Sequence, residues 1–224
     1  MAAGRAHTEV ELAQSEVAEQ IRRISHDLLR GDHTPEALLA LAERLRSEGD
    51  LLAARPDKVP DYSRFNEPDS MPVPDDGEEF FNSPDRPVSG VGHPWSVPLR
   101  VYREGDRAVT DVVLGRAFQG APGMSHGGFV AAIYDDLLGF LLMLEETIAF
   151  TAWLTVNYTA GTMIGTPLRF DAWIDRTEGR KLFLKGICHD AEGTEISSCE
   201  GLFIDATEHF RSLANSASPE PGDG

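Results

Sequence analysis

The sequence predicts an α+β domain: one antiparallel sheet wrapped around a single long central helix, with a helical extension in front. Three observations carry that reading. The segment HGGFVAAIYDDLLGFLLMLEE is apolar on nearly every side, and a helix with so little polar surface must be buried against a sheet or a partner. Three or four strand-like stretches follow as a long antiparallel meander: IAFTAWLTVNYTA, TPLRFDAWIDRT, RKLFLKGICHDA and TEISSCEGLFIDAT. Helical faces alternating with parallel strands, which a doubly wound nucleotide-binding fold requires, are absent.

Taken in order, residues 1–54 form the extension. Val10, Val17, Ile21, Ile24 and Leu28 recur at the steps of one helical face. Thr34-Pro35-Glu36 is a helix start, with a capping hydroxyl, a proline where no amide hydrogen is needed, and an acid near the positive dipole end. Leu38, Leu41, Leu45 and Leu52 continue an apolar stripe. Two amphipathic helices joined around Gly31 are expected, covering the main domain or padding an oligomer interface. Residues 55–97 hold eight of the fourteen prolines, which argues against helix and central strand. They read as an extended connector draped on the domain, with Tyr62, Phe65, Phe80 and Phe81 as anchors. Residues 98–210 carry the fold. VPLRVYREGDRAVTDVVLG is a hairpin turning at Glu104-Gly105-Asp106, and Asp175–Gly179 and Ala191–Gly193 read as later turns. Residues 211–224 are expected to be a flexible tail.

Composition narrows the function. At 224 residues, with 41% apolar and 25% charged, the chain fits one core domain with an appendage, or two small units. Its net charge of −17 disfavours nucleic acid, because the field repels phosphate backbones. Two or three local cations can still hold a phosphate of a small ligand. Cys188 and Cys199 lack CxxC spacing, so neither a disulfide framework nor a zinc site is expected. No apolar run approaches the ~18 residues of a bilayer crossing, so no membrane association is expected. MAAGRAHTEVELAQSE lacks a hydrophobic signal core, and a cytoplasmic location is expected.

The strongest chemical signal is Gly123-Met124-Ser125-His126-Gly127-Gly128, immediately before the apolar helix. Glycines at a helix entrance let a ligand approach the backbone and leave amide hydrogens unpaired. Those donors, backed by the helix dipole, can polarise a carbonyl oxygen that becomes negative during reaction. The same glycines equally serve tight helix–sheet packing. Asp135 and Asp136 sit inside the apolar helix, where an unpaired carboxylate is costly. Successive helical residues point ~100° apart, so the two acids face different surroundings, and a desolvated one is suited to act as base or nucleophile. Gly127 and Asp135 are eight positions apart, ~12 Å along a helix, too far to reach one reacting carbon. Two antiparallel helices from two chains can bring them together, which favours a two-fold dimer with shared sites if both act in catalysis. Arg180 and Lys181 are candidate phosphate-binding cations, or an ordinary solvated turn. Gly123–Gly127 also satisfies the G-x-S-x-G pattern, but the preceding parallel-sheet strand and the later Asp and His of that site are missing or weak.

FQGAPGMSHGGFVAAIYDDLLG, then FTAWLTVNY and EGRKLFL, resemble the hot-dog-fold acyl-CoA thioesterases, of the phenylacetate-degradation type and the related animal thioesterase-superfamily members. The likeness covers about residues 98–207. It implies a sheet wrapped around the central helix, dimers with continuous sheets, and further tetramers or hexamers. It implies hydrolysis of an acyl-CoA without cofactor or metal. By position, Gly127 matches the glycine whose amide polarises the thioester carbonyl, and His126 the histidine that orients that loop or the substrate. Asp135 matches the nucleophile or general base, and Thr151 the hydroxyl that positions water or the carboxylate. Gly128, Asn157, Arg180 and Lys181 fall at substrate-contacting positions, the last two near the CoA phosphates. Gly120 stands where some members carry an amide side chain, with Gln119 next to it as a substitute. A hot-dog hydratase or dehydratase using His126, and a non-catalytic acyl-CoA-binding module, are the alternatives.

Overall fold

The computed structural model of the chain describes residues 7–58 and 73–217. Two helices come first, α1 over Glu9–Arg30 and α2 over Pro35–Ala53. Thr8 and Glu11 close a capping box at the start of α1, each side chain accepting the other's amide. Thr34 caps α2 through the Ala37 amide, with Pro35 in the first turn. Within one chain, Ile24 alone of the apolar stripe of α1 is half-buried. α1 docks through buried Ala18 and half-buried Glu11, Ser15, Arg22 and His26, while Val10, Val17, Ile21 and Leu28 of the apolar stripe stay exposed. α2 buries no residue. Helical periodicity shows that an apolar face exists, but not which surface covers it.

Beyond residue 72 the connector runs against the sheet. Glu79 bridges to Tyr102, and Phe80 is buried with its ring 5.8 Å from that of Phe140. Phe81 is half-buried. Tyr62 and Phe65 lie outside the described residues.

The sheet has six strands. β1 (Tyr102–Glu104) and β2 (Arg107–Val113) form the expected hairpin, with Gly105 at φ +63° in the turn. α3 (Gly127–Leu144) follows, then β3 (Ala149–Tyr158), β4 (Pro167–Glu178), β5 (Lys181–Asp190) and β6 (Glu195–Asp205). All pairs are antiparallel, in the order β1-β2-β4-β5-β6-β3. Only β4–β5–β6 is a meander. β3 pairs with β6 at the far edge, and β4 pairs with β2, because α3 carries the chain across the sheet before β3 begins. The expected Asp175–Gly179 turn shrinks to Gly179-Arg180. Asp175 belongs to β4, where a bulge between Ile174 and Arg176 shifts the register.

α3 supplies the centre of the core. Val130, Ile133, Tyr134, Leu137, Leu138, Phe140 and Leu141 have no exposed surface, and each such large apolar side chain contributes ~1.5–3 kcal/mol on burial. The Tyr134 hydroxyl donates to the Ser197 carbonyl at 2.8 Å, and burial pushes its pKa up. Contrary to the sequence reading, α3 does meet the length and hydropathy of a membrane span, 18 residues at mean hydropathy 1.6, with half of it buried inside the fold. Its remaining face is not apolar all round: Gly128 and Asp135 are exposed, and Ala131, Ala132, Asp136 and Gly139 are half-buried. α4 (Thr207–Ala217) replaces the first part of the expected tail. Asp205 accepts the Thr207 amide at its start, and Phe210 packs on Phe150 with ring centroids 5.2 Å apart.

Candidate functional site

α3 enters through a capped turn. The His126 side chain precedes the helix and its Nδ1 accepts the Gly128 amide at 3.0 Å, which leaves Nε2 to carry the ring proton. A Cβ on Gly128 would lie 2.9 Å from Nδ1, so this cap requires glycine. The Gly127 amide has no acceptor among the described residues, the ordinary condition of a first-turn amide, and the helix dipole adds positive potential there. Tyr158, at the end of β3, donates its hydroxyl to the Gly127 carbonyl at 2.6 Å, and burial raises the phenol's pKa.

Eight residues along, the second half of the chemistry assembles. The Thr151 hydroxyl, at the start of β3, donates to Asp135 Oδ1 at 2.8 Å. Both residues line a cavity of about 430 Å³ walled by Phe81, Pro87, Leu142, Met143 and Phe203. The connector thus forms one wall of the site. Asp135 is exposed, so the desolvation expected from its apolar sequence context is not supplied within one chain. Asp136, ~100° further round the helix, lines the same cavity beside Arg86. It is half-buried, with Oδ1 3.8 Å from Nε of Arg86, whose guanidinium lies 4.2 Å over the Phe140 ring.

The other candidates divide. In β3, Thr151, Leu154, Val156 and Tyr158 pair with Phe203, Gly201, Cys199 and Ser197, the helix-facing residues of β6. Asn157 pairs with Ser198 on the opposite face, so the structure does not bring it to the Gly127 turn. Its neighbour Tyr158 is the residue that sequence reasoning missed, because the bulge between Thr151 and Trp153 shifts the alternation of β3 by one position. Gln119 bridges to Ser125 in the loop before the helix, and its side chain accepts from Arg116 at 3.0 Å. Ser125 donates to the Phe118 carbonyl at 3.3 Å, while His126 Nδ1 is engaged with Gly128, which is not the arrangement of a serine nucleophile and its base. Arg180 donates twice to the Asp205 carbonyl, at 3.0 and 2.7 Å. Lys181 is exposed beside it. This turn lies at the Thr151 end of the sheet, since Ala149 pairs with Asp205.

No family model matches the chain. Over 91 residues, 40% of its length, it is 34% identical to the acyl-coenzyme A thioesterase THEM4 of Bos taurus, and it spans 37% of that relative. The crystal structure of a thioesterase superfamily protein superposes with a TM-score of 0.71 at 26% identity, over 86% of this chain and 90% of the other. The chain has the hot-dog fold of the thioesterase superfamily. The PaaI protein from the phenylacetic acid degradation operon of E. coli aligns over 49% of this chain and 80% of its own, with 11% identity and a TM-score of 0.46. As in the sequence reading, the hot-dog sheet runs along α3, and the helix entrance and the Asp135–Thr151 pair occupy separate places on it.

Proposed function

We propose that this chain hydrolyses an acyl-CoA thioester to a free carboxylic acid and CoA, in sites shared between two copies. The observation that carries the reading is the Thr151–Asp135 hydrogen bond in the wall of a cavity that combines apolar side chains with the charged Asp85, Arg86 and Asp136, on the same helix whose first amide is available to an oxyanion. Thr151 holds one carboxylate oxygen, and Asp135 is thereby oriented to take a proton from water through the other. The water attacks the thioester carbonyl. The oxygen that becomes negative is stabilised by the Gly127 amide. Collapse of the tetrahedral intermediate breaks the carbon–sulfur bond, and the CoA thiolate takes up the proton.

Attack and oxyanion stabilisation must converge within about 3 Å of one carbon, whereas eight helical residues span ~12 Å. The reading therefore assigns Gly127 and His126 to one copy and Asp135 and Thr151 to the other. The open edge of β3 and the uncovered small-residue face of α3 support the pairing of two copies there. Further association into tetramers or hexamers belongs to the same proposal. Arg180 and Lys181, at the Thr151 end, are the cations offered to the CoA phosphates. A cytoplasmic location belongs to the same proposal, and the lack of CxxC spacing between Cys188 and Cys199 supports it through a reducing compartment.

Asp135→Asn keeps shape and volume but cannot accept the proton. It is expected to abolish release of free thiol from an acyl-CoA panel with little change in thermal unfolding. Near-wild-type hydrolysis by that variant refutes the assignment. Mixing Asp135→Asn with a Gly127→Val variant, each inactive alone, is expected to restore up to about a quarter of the activity through hybrid dimers with one intact site. No rescue on verified subunit exchange overturns the shared site.

A further inference from the structure

We propose that the N-terminal helix α1 positions the oxyanion turn, with His26 as the positioning residue. His26 is half-buried, and its Nδ1 accepts the Ala117 amide at 3.1 Å. Ala117 lies in a short 3-10 turn, Arg116–Phe118, on the path from β2 to α3. The next carbonyl, that of Phe118, accepts the His126 amide at 2.8 Å, one residue before Gly127. A backbone route of two hydrogen bonds thus links α1 to the helix entrance. The rings follow the same route: His26 to Phe118 at 5.4 Å, Phe118 to Phe129 at 4.8 Å, and Phe129 to His126 at 6.5 Å between centroids.

Three further observations show a built contact. A Cβ on Gly115 would lie 2.6 Å from His26 Cε1 and 2.7 Å from Nδ1, so the backbone at Gly115 makes room for this ring. Burial lowers the pKa of His26, which favours the neutral form that can accept at Nδ1. Finally, α1 is anchored independently. Arg22 donates to the carbonyls of Val91 and His93 at 2.9 and 2.8 Å, and Gln14 donates to Asp85 and to the Gly92 carbonyl at 2.9 and 3.1 Å. The support that holds His26 therefore does not depend on the bond that His26 makes. An extension outside the catalytic machinery fixes the loop on which an oxyanion donor must be held to a fraction of an ångström.

The test compares His26→Ala with His26→Asn in the full chain, since the asparagine oxygen reaches the position of Nδ1. Backbone hydrogen exchange over residues 116–128 is expected to rise about tenfold in His26→Ala, the cost of one modest hydrogen bond, and to return toward wild type in His26→Asn. This arm needs no substrate. The activity arm rests on the thioesterase reading: kcat is expected to fall about five- to tenfold in His26→Ala with KM within twofold, and to recover in His26→Asn. Unchanged exchange in His26→Ala overturns the proposal, as does faster exchange with unchanged kcat. If the wild-type chain hydrolyses no acyl-CoA, the thioesterase reading fails, and the exchange arm alone judges whether His26 holds the turn.

Discussion

Replacing Thr151 with valine isolates the contact on which the catalytic reading depends most directly. Valine keeps the β-branched shape that suits the edge strand and removes only the hydroxyl that donates to Asp135 at 2.8 Å. A hydrogen bond to an ionised group contributes ~1.5–3 kcal/mol. Both partners are exposed in the single chain, so water competes and the lower end applies. About 1.4 kcal/mol corresponds to roughly tenfold. Thr151→Val is therefore expected to lower kcat/KM for acyl-CoA hydrolysis about tenfold, read by trapping the released thiol with a chromogenic disulfide. The denaturant midpoint is expected to stay near wild type, because no buried group loses a partner. Thr151→Ser restores the hydroxyl and is expected to recover most of the loss. A valine variant within twofold of wild type refutes the claim that this hydroxyl orients the carboxylate.

Gly128→Ala places a methyl carbon 2.9 Å from the capping nitrogen of His126 and must displace the ring. Hydrolysis is expected to fall at least tenfold, with a stability loss of ~1 kcal/mol for the lost cap, checked by kinetics beside urea unfolding. Tyr134→Phe deletes a buried donor to the Ser197 carbonyl and is expected to cost ~1–3 kcal/mol in urea unfolding. Burial pushes the thiols of Cys188 and Cys199 up from 9.0 to about 12. The unfolded chain therefore ionises these groups at lower pH than the folded one, and stability is expected to fall as pH rises from about 9 toward 12. At neutral pH neither thiol should react with a thiol reagent until the chain unfolds, and rapid labelling of the native protein would contradict their burial.

Much of the organisation was legible in the chain itself. Local chemistry wrote the start of α2: the hydroxyl of Thr34 reaches a nearby amide, and Pro35 fits a first turn. The apolar run from Phe129 to Leu144 had to be a buried helix, and the spacing from Gly127 to Asp135 by itself puts the two too far apart on one helix for a common reacting carbon. His126, Gly127, Asp135 and Thr151 were all readable as candidates because the glycine pair, the acid in an apolar helix and the family likeness sit in contiguous sequence. Long-range pairing was not readable. Alternation along IAFTAWLTVNYTA gives two faces to a strand but names no partner, so the crossing of β3 to the far edge came only from the assembled sheet. The bulge between Thr151 and Trp153 then decided that Tyr158, and not Asn157, reaches the helix entrance. The docking of α1 through a mainly polar, small-residue face, with Ile24 alone of its apolar stripe half-buried, is likewise a tertiary result, as is the meeting of His26 with Ala117 across 91 positions. Bonds closed within a few residues are determined by those residues, whereas bonds between distant segments depend on which surfaces the whole chain leaves available.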